Sequence, residues 1–110
     1  MKIVGLSGSI VGSKTRTALG YVAKAMSDKY PDVDMTILDL ADYDIAFSDG
    51  RNYLEYEGDT KYIAQMLMEA DAIIVGTPIF QASIPGTLKN VFDLLPEQAF
   101  RDKIVSIVVT

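Results

Sequence analysis

The two residue types most widely used in catalysis are missing from this chain, which has no cysteine and no histidine. Without cysteine there is no disulfide, no thiolate nucleophile and no Cys-based metal site. Without histidine the commonest general base and the commonest metal ligand are gone as well. No metal site and no catalytic side chain are expected, and an enzyme made of these residues would do its difficult step on a borrowed cofactor. Long apolar runs are also lacking. Nothing approaches the roughly 20 residues of a membrane span, and Ile3 to Leu6 is far too short for a signal-peptide core. A cytoplasmic protein without a membrane partner is the expectation. Positive charge is scarce too, with 10 Lys and Arg against 15 Asp and Glu and a net charge of −5. Nucleic-acid binders need a clustered basic footprint, so that class of partner is excluded.

What is present suits one compact domain over residues 1–110. Hydrophobic residues make up 49% and charged residues 23% of the chain, an ordinary soluble balance with enough apolar surface for a single core. Strand and helix signals alternate. Lys2 to Leu6 is a short β-branched run that ends in Ser7-Gly8-Ser9. From Lys14 to about Lys29, Ala18, Leu19, Val22, Ala23 and Met26 recur at helical spacing. Tyr30-Pro31 stops that helix. Val33 to Leu40 reads as a second strand. Asp59 or Thr60 is placed to cap a second helix carrying Ile63, Met66, Leu67 and Ala70. Ala72 to Thr77 is continuously apolar, as a central parallel strand buried on both faces would be. Leu88, Val91, Phe92 and Leu95 form the stripe of a third helix that ends near Pro96, and Ile104 to Val109 is a fourth strand. The order βαβαβαβ predicts a doubly wound parallel sheet with right-handed crossovers. The irregular segment is 41–58, which carries Tyr43, Phe47, Tyr53, Leu54 and Tyr56. Either it packs on its own domain, or it forms a flap over a ligand or a dimer contact.

Two turns carry chemistry. The first, Ser7-Gly8-Ser9-Ile10-Val11-Gly12-Ser13-Lys14-Thr15-Arg16, joins the first strand to the first helix. Glycines allow close backbone approach, and free N–H groups of the first helical turn face whatever lies before it. The hydroxyls of Ser9, Ser13 and Thr15 and the charges of Lys14 and Arg16 add donors that a phosphate would accept from. A plain N-cap at Ser13 is the simpler alternative, but the turn holds more donors than capping needs. It is one glycine short of a P-loop, and the third strand ends in Thr77-Pro78 with no magnesium-binding Asp there. The dinucleotide fingerprint is absent, and Asp39 is only a weak candidate for a ribose contact. The second turn, Pro78-Ile79-Phe80-Gln81, leaves the carboxyl end of a buried strand, where open α/β sheets bind ligands. Ser83, as a cap, and Pro85, in the first turn, then open the third helix.

Together these turns resemble those of the NADPH-dependent FMN reductases, a flavodoxin-like family. Ser7-Gly8-Ser9 and Ser13-Lys14-Thr15 match the two halves of the family's phosphate loop. The piece between them is shorter than in many members and lacks their frequent Arg. Val75-Gly76-Thr77-Pro78 through Asn90 matches the flavin-ring loop and the helix after it, with Phe80 for the usual Tyr and Gln81 for the usual Asn. The resemblance implies a flavodoxin-like, three-layer αβα domain with four of its five strands in this chain, incomplete at the C-terminal side. It implies FMN as cofactor and NADPH or NADH as co-substrate. Ser9, Ser13, Lys14 and Thr15 would hold the phosphate, and Pro78, Ile79, Phe80 and Gln81 the ring. Electrons would pass to a small acceptor such as a flavin, quinone, azo compound or metal ion, in a homo-oligomer, a dimer or tetramer. An FMN-binding electron carrier and a flavin-free interaction module are the alternatives.

Overall fold

The computed structural model describes residues 1–8, 14–78, 86–96 and 98–110. Strand β1 is Lys2–Ser7, β2 Asp34–Asp39, β3 Ala72–Thr77 and β4 Ile104–Val109. Helix α1 is Lys14–Lys29, α2 Gly58–Glu69 and α3 Gly86–Leu94. The strands form one sheet in the order β2-β1-β3-β4, and every neighbouring pair is parallel. This is the doubly wound flavodoxin-like order, in which the chain winds outward from β1 to one side and then to the other.

Side chains alternate across each strand, so each face of the sheet is read from residues two apart. One face carries Val4, Leu6, Leu38, Ile73 and Val75, which cluster with Ile63 and Leu67 of α2 and Leu88 and Val91 of α3. On the other face, α1 lies directly on backbone. A Cβ added at Gly76 would stand 2.9 Å from Thr15 Cγ2 and 3.0 Å from Leu19 Cγ. Small residues here let the helix come down onto the sheet, and Leu19 is wholly buried as a result. β4 is different. Ile104 is 66% exposed and Ile107 67%, and by alternation they lie on opposite faces.

Three helix and strand boundaries expected from sequence hold, at α1, β3 and β4. The capping of α2 differs from expectation. Its N-cap is Glu57, which makes no side-chain cap bond, and Gly58 takes the turn with φ 61°, a left-handed backbone that glycine adopts without a Cβ clash. Asp59 and Thr60 are instead engaged with the preceding segment. Asp59 accepts from the Asp44 N–H at 2.9 Å and Thr60 from the Ala46 N–H at 2.9 Å. Most of 41–58 therefore packs on its own domain. Tyr56 is buried. Asn90 of α3 accepts from the Ser48 N–H at 2.8 Å and donates to the Ala46 carbonyl at 2.9 Å. Phe47, 86% exposed, and Leu54 are the large apolar side chains of the segment left outside. The opening of α3 at Ser83 and Pro85 lies outside the described residues. No helix among the described residues is long and apolar enough to cross a membrane.

Candidate functional site

Because the sheet is parallel, β1 and β3 deliver their following turns to the same edge, side by side. The Gly8 N–H donates to the Gly76 carbonyl at 2.9 Å, continuing the β1–β3 ladder by one bond past the end of β1. The Thr110 N–H donates to the Thr77 carbonyl at 3.1 Å and does the same for β3 and β4. The Thr77 hydroxyl donates to the Pro78 carbonyl at 2.7 Å, which fixes the first residue of the second turn. Both turns thus leave a hydrogen-bonded platform formed by β1, β3 and β4.

Of the residues expected at the site, Lys14, Thr15 and Pro78 are described. Ser9, Ser13, Ile79, Phe80 and Gln81 lie outside the described residues. Lys14 is exposed at the first position of α1. Thr15 is buried, and its hydroxyl lies 2.7 Å from that of Thr110. Among the described residues, Arg16 pairs with acids. Its guanidinium reaches Asp42 at 2.9 Å and Asp39 at 3.4 Å, so two carboxylates offset it. Asp39, the weak ribose candidate, is spent locally as well: its other oxygen accepts the Ala41 N–H at 3.0 Å and caps the short 3₁₀ turn Leu40–Asp42.

Sequence reasoning missed Thr110 as a member of this edge, and it placed Ser7 in the first turn without giving its hydroxyl a role. Thr110 comes from 95 residues away from its hydroxyl partner, a pairing that no local pattern announces. Ser7 had a visible signal, since alternation along β1 puts it on the α1 face with Ile3 and Gly5. A cleft of about 330 Å³ lies next to the edge, between Leu40, Tyr43, Ile45 and Phe47 on one side and Thr87 and Asn90 of α3 on the other. Burial raises the Tyr43 phenol above its ordinary value, and the neighbouring Tyr62 raises it further.

A phosphate-bearing cofactor can be tested against these features. The first-turn N–H groups of α1 have no intrahelical acceptor, and α1 opens at Lys14 in the connection that follows β1. At the end of β1, Ser7 is 1% exposed and its Oγ has no hydrogen-bond partner among the described residues. An orphaned buried hydroxyl at the end of β1 and a helix N-terminus in the same connection fit an anionic ligand. No general acid or base is needed from this edge if the ligand carries the redox chemistry.

The profile of the family described as NADPH-dependent FMN reductase matches residues 1–110. This chain belongs to that family. Among curated relatives of this FMN reductase-family chain is the NAD(P)H-dependent FAD/FMN reductase of Geobacillus thermodenitrificans. It is 44% identical over 108 residues, which cover 98% of this chain and 58% of the relative. The NADH-dependent FMN reductase SfnF of Pseudomonas putida is 26% identical over 92% of this chain and 55% of its own length. The family chain therefore spans little more than half the length of these relatives. Among solved structures, the apo form of the NADH:FMN oxidoreductase EMOB superposes with a TM-score of 0.71 at 28% identity, covering 94% of this chain and 55% of that one. An FMN-dependent NADH-azoreductase from Bacillus anthracis in complex with FMN shares the fold, with a TM-score of 0.67 at 12% identity over 99% of this chain and 68% of its own.

Proposed function

We propose that this chain is the FMN-binding part of an NAD(P)H oxidoreductase that passes electrons to a small acceptor such as a flavin, a quinone, an azo compound or a metal ion. The observation that carries this reading is the shared edge. The turn after β1 and the turn after β3 leave neighbouring strands joined by the Gly8–Gly76 bond, so one ligand can lie across both. The names of the Geobacillus and Pseudomonas relatives support FMN and a nicotinamide co-substrate. In this reading Ser9, Ser13, Lys14 and Thr15 surround the phosphate, and Pro78, Ile79, Phe80 and Gln81 lie along the ring. Bound FMN supplies the two-electron chemistry; the chain's residues hold it, orient it and shield it from water. A homo-oligomer in the cytoplasm, with access to soluble nicotinamide, belongs to the same proposal.

The test is direct. Purified protein titrated with FMN is expected to perturb the flavin absorbance bands, and the complex to oxidise NADPH or NADH in steady state when menadione is present. A protein that binds FMN without oxidising either nucleotide is an electron carrier instead. Failure to bind FMN leaves only the fold. Sedimentation velocity reads the oligomeric state.

A further inference from the structure

Phe47 is more exposed than any other large apolar side chain among the described residues, yet the backbone on both sides of it is held. The Asn90 side chain accepts from the Ser48 N–H at 2.8 Å and donates to the Ala46 carbonyl at 2.9 Å, so one amide grips both neighbours of the phenyl. The Ser48 hydroxyl adds a bond to the Asp93 carbonyl at 3.2 Å, and the Ala46 N–H is spent on Thr60 of α2 at 2.9 Å. A ring left out by a loose loop would need none of these bonds; this one is presented on fixed backbone. It forms part of the wall of the cleft of about 330 Å³, together with Leu40, Tyr43 and Ile45 and across from Thr87 and Asn90. Asp44 also lines that cleft, and no lysine or arginine does. The local field is negative: the Tyr43 phenol is held above its ordinary value first by burial and then by Tyr62, and the Asp42 and Asp59 carboxylates add to the effect. The volume is at the small end of ligand pockets. Covering an exposed phenyl takes apolar surface out of water, and a backbone already in place spares the cost of ordering it on binding.

We propose that this cleft is a binding site for a small flat aromatic molecule without negative charge, which covers the Phe47 ring, and that Asn90 is the positioning residue that holds the ring in place. The site goes beyond the FMN reading, since none of the residues lining the cleft is among those assigned to the phosphate or the flavin ring. The size of the cleft limits the ligand to one or two fused rings, the phenyl and Tyr43 offer it aromatic faces and edges, and the acidic wall turns anions away. A second copy of the chain fits this surface less well. A two-fold contact brings the same patch to itself, and here that patch includes the exposed Asp44.

The experiment titrates the full chain, without flavin, with 2-naphthol and with 2-naphthoate, the same fused rings without and with a negative charge, and follows ¹H–¹⁵N shifts. Expected are saturable shifts for 2-naphthol centred on Ala46, Phe47, Ser48 and the Asn90 side-chain amide, and binding of 2-naphthoate weaker by at least about fivefold. Phe47→Ser is expected to lose at least about tenfold in 2-naphthol affinity with an unchanged Tm, since so exposed a ring contributes little to the fold. Asn90→Ala is expected to weaken 2-naphthol as well and to speed exchange of the Ser48 amide while the amides of β3 stay protected, which separates lost positioning from lost stability. Shifts centred elsewhere, or none, overturn the site. Equal affinity for the two probes overturns its charge preference, and unchanged affinity in Phe47→Ser overturns the role of the ring. If 2-naphthol does not bind and Phe47→Ser sediments more slowly than the unmodified chain, the ring serves contact between copies and the proposal is likewise overturned. With no flavin in the sample, every one of these outcomes is independent of FMN binding, so failure here leaves the FMN reading standing.

Discussion

Single atoms decide how closely α1 approaches the sheet. Gly76 leaves no room for a Cβ, which would fall 2.9 Å from Thr15 Cγ2. Gly76→Ala is expected to push the first turn of α1 outward and to destabilise the fold by about 1–3 kcal/mol, as overpacking does, measurable as a lower midpoint in urea. A control at Gly20, where an added Cβ meets nothing, is expected to be neutral or slightly stabilising. Asp49 makes a different residue-scale case. Its carboxylate accepts from Arg51, and from the Tyr56 hydroxyl at 2.9 Å. These bonds, first from Arg51 and then from Tyr56, hold it well below the ordinary carboxylate value of 3.8. The unfolded chain then binds this proton more readily than the folded one, so stability rises with pH between the two values. The contribution is complete above the ordinary value and is lost as pH falls through the folded one. A carboxyl ¹³C titration is expected to show a midpoint below 3.8 for Asp49, moving back up in Arg51→Ala; equal midpoints in the two proteins would refute the pairing.

At the level of elements, the carboxyl end of α2 is finished by a side chain from outside the helix. Lys103, just before β4, donates to the carbonyls of Leu67 at 3.3 Å and Met68 at 2.7 Å, and to that of Ala70. A cation at a helix C-terminus satisfies orphan carbonyls and meets the negative end of the dipole. Lys103→Met is expected to cost about 1–3 kcal/mol in chemical denaturation, with α2 amides exchanging faster than those of α1. The same elements show what a linear reading catches. The apolar spacing of α1, the continuous run of β3 and the β-branched run of β4 are local signals, and the bounds Lys14–Lys29, Ala72–Thr77 and Ile104–Val109 follow from them. The start of α2 was misread because Asp59 and Thr60 have good capping chemistry but spend it on Asp44 and Ala46. At the site, the turns were legible from their glycines, prolines and hydroxyls. The partners were not: Arg16 with Asp39 and Asp42, and Thr15 with Thr110, are contacts set by the crossovers. Nor does sequence reveal that Ser7 Oγ has no partner among the described residues, which only a folded neighbourhood can define.

Across the whole molecule, apolar burial is uneven. β3 is buried along nearly its whole length, whereas β4 shows Ile104, Val105, Ile107 and Val109 to solvent. An apolar strand at a sheet edge is a template for pairing with another chain. Ile107→Thr is expected to raise solubility and lower the aggregation rate seen by light scattering, while shifting stability by no more than about 0.5 kcal/mol. A large loss of stability would mean that Ile107 is covered in solution. The all-parallel order has a mechanical consequence as well. β1 starts at the amino end of the parallel strands, β4 finishes at their carboxyl end, and β3 stands between them, in register with both. Tension applied between the first and last residues runs along the strands and loads every bond of both ladders at once, as in a lap joint pulled lengthwise. Tension applied between Thr77 and Thr110, at one edge, instead opens the β3–β4 ladder a bond at a time. In an optical trap the molecule is expected to rupture at high force in a single event along the first axis and to peel at low force along the second, so its toughness depends on the direction of pull.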